Sequence, residues 1–169
     1  MDKIHNQNEE ITRVSIQFDA AFDNRNSKST SGLVVRDQMG EFTASKTIIH
    51  NNISSPFAAE AYVGLQAIKL GISIGLISVT IMGDSKTVIK KCRMTKPEKS
   101  VIGAIIRDIQ SKRSCFQEIV FQFIHRSENI HAHKLAKEAL EKGKESYLVR
   151  EALNHNEFAP KGKWSRSPD

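Results

Sequence analysis

Apolar and polar residues alternate at the start of the chain, with Val14, Ile16 and Phe18 set against Ser15, Gln17 and Asp19. A period of two predicts a strand with one buried face. SGLVVRD, the turn DQMG and EFTASKTII then predict a hairpin that reverses at Gly40. SSPFAAEAYVGLQAIKLG reads as a helix, with a serine before Pro56 at its start and Gly71 just past its end. LISVTIMGD alternates Ile77, Val79 and Ile81 and predicts a fourth strand. SKTVIKKCR predicts a short helix. TKPEKSVIGAIIRDIQSKR predicts a longer one, with Thr95 and Glu98 spaced as a capping box and Val101, Ile102, Ile105, Ile106 and Ile109 as its apolar stripe. EIVFQFI is a fifth strand, and NIHAHKLAKEALEKG is a last helix that closes at Gly143.

The first three strands follow one another through short turns and form an antiparallel meander. Strands separated by helices are parallel, because the crossover carries the chain back to its starting edge. The pattern therefore predicts an α/β domain built on a mixed five-stranded sheet covered by helices. The domain is expected over residues 13–155, with a polar tail at 1–12 and a flexible basic tail at 156–169. Trp164 lies in that second tail, in APKGKWSRSPD, and is expected outside the core.

Composition narrows the setting. The chain has 169 residues, 39% hydrophobic and 26% charged, which suits a globular protein. No apolar run approaches the roughly 18 residues of a membrane span. The opening MDKIHNQNEE lacks the apolar stretch of a signal peptide. Cys92 and Cys115 fit no metal-ligand spacing and no disulfide framework, so a cytosolic or nuclear home is expected. The net charge of +6 suggests a polyanionic partner. Lys86, Lys90, Lys91, Arg93, Lys96, Lys99, Arg107, Lys112 and Arg113 cluster in one stretch, opposed only by Glu98 and Asp108. A solvated helical face would look the same.

Three carboxylates stand in unusual places. Asp19 follows an apolar strand, where an acid is costly unless it is compensated or faces an opening. Asp84 ends the fourth strand, and ligands bind at the carboxyl ends of parallel strands. Glu60 heads a helical stripe of small and apolar residues, Gly64, Ala67 and Ile68. Each has an ordinary alternative: a solvent-facing strand position, a helix cap, a charge near a helix start. Together they place two carboxylates at the ends of neighbouring strands, with a third on a helix above them. Crowded carboxylates repel and call for a cation, and a hard divalent ion such as Mg²⁺ suits oxygen ligands. Two such ions can activate a water and stabilise the leaving oxygen of a phosphodiester. His131 and His133 stand two apart in a helix and point about 200° away from each other, so at most one belongs to a site. His133 is the candidate fourth ligand.

The pieces FDAAF, SGLVVRDQMGEF, FAAEAYVGLQAIKLG, VTIMGDSKTVI and RSENIHAHKLAKEAL come in the order and spacing of a known family. Over residues 14–143 the chain resembles a ribonuclease H type-1 domain, in particular the plant retroelement-related group. The resemblance implies strand order 3-2-1-4-5 with helices on both faces. It also implies cleavage of the RNA strand of RNA–DNA hybrids with two Mg²⁺ ions, or Mn²⁺ in their place. Carried onto this chain, Asp19 and Asp84 bridge the metals and Glu60 ligates. His133 stands where many members have a fourth catalytic Asp, and Asn129 matches an Asn that contacts nucleic acid. His125 is the candidate for the mobile catalytic histidine, which the plant group places two residues earlier, at Phe123 here. Ala20 replaces a common glycine. Pro56 and Phe57 replace polar substrate contacts, leaving Ser55 to meet a phosphate. The segment between the fourth and fifth strands is too short for a basic protrusion, so Lys86, Lys90 and Lys91 are expected to hold the duplex. The expected partner is a hybrid or other nucleic acid, bound by a monomer away from membranes. Two rivals share the fold: a catalytically weak nucleic-acid-binding domain left from a retroelement, and a protein-interaction scaffold.

Overall fold

The computed structural model describes residues 13–94 and 102–150. Its elements are β1 (Val14–Asp23), β2 (Lys28–Arg36), β3 (Phe42–His50), α1 (Pro56–Ser73), β4 (Ser78–Gly83), α2 (Lys86–Arg93), α3 (Gly103–Lys112), β5 (Glu118–Phe123), α4 (Ile130–Lys142) and β6 (Ser146–Val149). The sheet runs β5-β4-β1-β2-β3-β6. β1 pairs antiparallel with β2 and β2 with β3, while β4 lies parallel to β1 and to β5. This is the expected 3-2-1-4-5 order in a mixed sheet.

The sheet has six strands among the described residues, not the expected five. After α4, Gly143 takes a left-handed φ of 65° and turns the chain back along β3. There Ser146–Val149 pairs antiparallel with β3, from Thr47 opposite Ser146 to Ala44 opposite Val149. Four residues, SYLV, are too short to show an alternating pattern. They are held by their partner: Ser146 N donates to Thr47 Oγ1 at 2.8 Å, and Ile49 N donates to Glu145 Oε2 at 2.9 Å. The predicted capping box at Thr95 and Glu98, and Trp164, lie outside the described residues, and α3 begins at Gly103.

β1 is longer than its apolar pattern. It runs on to Asp23, held by pairing with β2, whereas its last pair with β4 joins Phe18 to Gly83. Asp19 therefore sits in mid-strand rather than at a strand end. It emerges where β4 has stopped, beside Asp84.

The main core lies between α1, α2 and α3 and one face of the sheet. Ile16, Phe18, Leu33, Ile68, Ile81, Ile89, Ile106 and Ile109 are fully buried in it. Two glycines set the layer spacing. A Cβ on Gly83 would stand 2.5 Å from Phe18 Cζ, so the end of β4 lies against the Phe18 ring. On the other face, a Cβ on Gly32 would overlap the Ala132 carbonyl and approach Ala136 N to 2.8 Å. Its absence brings α4 down onto β2 opposite Asp19, which pairs with Gly32. Helices thus cover both faces, as expected. Among the described residues, no helix is long and apolar enough to cross a membrane.

Candidate active site

Each carboxylate is delivered by a different element. Asp19 comes from mid-β1 and is 1% exposed, which removes the solvent-facing alternative. Asp84 follows β4. The cap of α2 is Ser85, whose Oγ accepts from Val88 N at 3.3 Å, so Asp84 is released from that task. Glu60 lies in the second turn of α1. That helix starts at Ser55, whose Oγ accepts from Ala58 N at 3.1 Å, with Pro56 in the first turn. From there Glu60 Oε1 reaches back to accept from Ala20 N at 3.2 Å. Asp19, Glu60 and Asp84 each present an oxygen, and these oxygens lie within 4.8 Å of one another.

The electrostatics of this set are unfavourable without a cation. Burial, and then the neighbouring Asp19 charge, push the Glu60 carboxyl up to about 9. Burial and Asp19 also raise Asp84, against the lowering influence of Asn129 and Arg126. With all three acids ionised, Asp19 Oδ1 and Glu60 Oε2 are buried and receive no hydrogen bond from the described residues; a proton held on Glu60 would bridge it to Asp19. Buried oxygens of this kind cost free energy unless something pairs with them. A hard divalent cation fits: three carboxylates, all oxygen donors, at close range.

His133 meets the set through Asp19, with Nδ1 2.7 Å from Asp19 Oδ2. A carboxylate oxygen accepts, so Nδ1 is the donor in this contact and Nε2 takes no part in it. His131 points elsewhere, stacking on Phe42 at 5.6 Å between ring centroids. The two rings separate as helical spacing requires.

The other expected site residues fall into distinct places. Asn129 is 1% exposed; its Nδ2 donates to the Phe18 carbonyl at 2.8 Å and to Asp84 Oδ2 at 3.4 Å. Expected on the nucleic-acid surface, it is instead a strut inside the site. His125 is exposed, with its ring edge-on to Phe123 at 5.3 Å. Lys86 and Lys90 are exposed one helical turn apart, and the Lys86 ammonium lies 5.2 Å from the centre of the Phe123 ring. Lys91 is half-buried and does not share their exposure. One group was not anticipated: Arg126 Nε stands 3.8 Å from Asp84 Oδ2. Its signal in the sequence is only an arginine three residues before Asn129, which says nothing of Asp84 45 residues upstream of Asn129.

Comparison with known proteins places this geometry. The family model described as reverse transcriptase-like matches residues 17–139. No curated protein matches the chain. Among solved structures, RNase H1 from the halophilic archaeon Halobacterium salinarum superimposes with a TM-score of 0.69 at 21% identity, over 77% of this chain and 98% of that one. The N-terminal RNase H domain of a Mycobacterium tuberculosis protein gives 0.69 at 19% identity, over 78% and 95%. LC11-RNase H1 in complex with an RNA/DNA hybrid gives 0.67 at 18%, over 78% and 99%. At these identities the likeness establishes a shared fold.

Proposed function

The chain belongs to the reverse transcriptase-like family, and from that premise we propose that it is a metal-dependent endonuclease cutting the RNA strand of RNA–DNA hybrids. The observation that carries this reading is the set of Asp19, Glu60 and Asp84, with oxygens within 4.8 Å and two of them buried without a donor. Two divalent ions bound there, Mg²⁺ or Mn²⁺, would supply an activated water and neutralise charge at the leaving oxygen. The protein's part is placement. Asp19 and Asp84 would hold the ions, and Glu60 would add its oxygen from α1. His133, in contact with Asp19 through Nδ1, would stand in for the family's fourth carboxylate. His125, exposed in the loop before α4, would be the group that moves a proton to the leaving oxygen. Lys86 and Lys90 meet backbone phosphates, which positions a duplex without reading its sequence. That LC11-RNase H1 is solved with a hybrid supports the choice of substrate. The motif spacing supports a retroelement ancestry.

A catalytically weak nucleic-acid-binding domain is the second reading. It is favoured by one observation: the residue at the fourth position is an imidazole engaged with Asp19. A labelled hybrid separates the two. Mg²⁺- or Mn²⁺-dependent cleavage of its RNA strand, lost in Asp19→Asn, supports the nuclease. Salt-sensitive binding with no cleavage in either metal leaves only the binding domain.

A further inference from the structure

The helix that carries His133 has no side-chain cap of its own. Asn129 occupies its cap position, a place where Asn normally accepts a bond from the first turn, but here it makes no such bond. Its amide goes to Phe18 and Asp84 instead. α1 and α2, by contrast, are capped by Ser55 and Ser85. α3 also starts without a side-chain cap, whereas the start of α4 is held from outside the helix.

Gln17 does this. Its Nε2 donates to the Glu128 carbonyl at 3.0 Å, and its Oε1 accepts from Arg36 Nε at 2.9 Å. Arg36 in turn donates from Nη1 to the Gly40 carbonyl at 3.2 Å, which ties it to the β2–β3 turn. A guanidinium only donates, so the Gln17 oxygen must face Arg36 and its NH₂ must face Glu128. Gln17 itself is 8% exposed, and its bond to Glu128 is partly buried. Glu128 ends the 3₁₀ turn Arg126–Glu128. That turn carries Arg126, which faces Asp84, and it leads directly into Asn129 and His133. Two side-chain-to-main-chain bonds thus fasten the turn to β1: Gln17 to Glu128, and Asn129 to Phe18. They join two consecutive residues of β1, just before Asp19, to two consecutive residues at the start of α4.

We propose that Gln17, oriented by Arg36, is a positioning residue: it holds the start of α4 so that His133, Asn129 and Arg126 meet Asp19 and Asp84. Its catalytic consequence rests on the nuclease reading; its hold on the turn does not. Two readouts test it. Gln17→Glu keeps an oxygen for Arg36 but puts a second acceptor opposite the Glu128 carbonyl. Gln17→Met keeps the volume and loses both bonds. Arg36→Met, at a half-buried position, leaves the Gln17 amide unoriented.

Hydrogen–deuterium exchange on the metal-free full chain should show the hydrogen-bonded amides of the stretch 126–133, those of Glu128, Asn129 and His133, exchanging about tenfold faster in both Gln17 variants, and less so in Arg36→Met. The β1–β2 amides should stay as protected as in the wild type. In hybrid cleavage, kcat should fall about tenfold with KM within about twofold, because Lys86 and Lys90 are untouched. Unchanged exchange at 126–133 overturns the proposal. So does exchange that accelerates equally across β1 and β2, which is a merely structural loss, and so does an unchanged kcat in an active enzyme. A wild type that never cleaves strikes at the nuclease reading instead, and leaves the exchange data to decide the hold on the turn.

Discussion

Replacing Glu60 with Gln should stabilise the metal-free protein, and should do so far more at pH 7.5 than at pH 5. A free glutamate titrates near 4.5, whereas burial and Asp19 raise Glu60 to about 9. Between those values the folded protein holds a proton that the unfolded chain has released. Its stability is therefore complete below pH 4.5 and falls steadily as pH rises toward 9. At about 1.4 kcal/mol per pH unit, the loss at pH 7.5 reaches a ceiling of about 4 kcal/mol, and at pH 5 it is about 0.7 kcal/mol. Gln carries no charge at either pH and keeps the oxygen that accepts from Ala20. For a chain of this size each kcal/mol shifts Tm by roughly 2–4 °C. The variant should then melt on the order of 10 °C above the wild type at pH 7.5 in EDTA, and within about 3 °C of it at pH 5. Mg²⁺ should raise the wild-type Tm most at the higher pH, where the three acids repel most strongly. An equal difference at both pH values, or a less stable variant at pH 7.5, would refute the reasoning. Glu60 would then be ionised and compensated in the folded protein without metal.

Lys86→Ala and Lys90→Ala should each lower the salt slope of hybrid binding by about 0.7–0.9, measured as affinity against salt. Lys91→Ala should change it less, since Lys91 is half-buried; an unchanged slope in all three would return the cluster to a solvated face. Gly32→Ala should cost about 1–3 kcal/mol in urea unfolding, because its Cβ would push α4 off β2. His133→Asp should raise Mg²⁺-supported cleavage severalfold, because Mg²⁺ prefers oxygen to imidazole, yet lower the metal-free Tm by adding a carboxylate beside Asp19. His131→Asp should do neither, since that ring sits on Phe42; lower Mg²⁺ activity in His133→Asp would show that His133 is no substitute for a carboxylate.

What could be read in the sequence, and what could not, follows from the range of the interactions involved. β1 to β5 and α1 to α4 announce themselves through periods of two or three to four residues, which are local. β6 is a strand because β3 offers it an edge, and four residues carry no period. The end of β1 escaped for a related reason: Phe22 and Asp23 are extended because Ser29 and Lys28 pair with them, not because they alternate. The three acids were legible because a carboxylate within an apolar pattern is costly, and the cost itself points to a cation. Their supports were not legible. Gln17, Arg36 and Arg126 are residue types that any polar surface would carry, and Asn129 in front of a helix reads as a cap or a contact. Their tasks are set by which carbonyl, carboxylate or side-chain amide lies opposite, 19 to 111 residues away in the chain. The same separation bears on the two histidines of α4. Helical geometry says that the two diverge, but only the close seat of α4 on Gly32 decides which of them reaches Asp19.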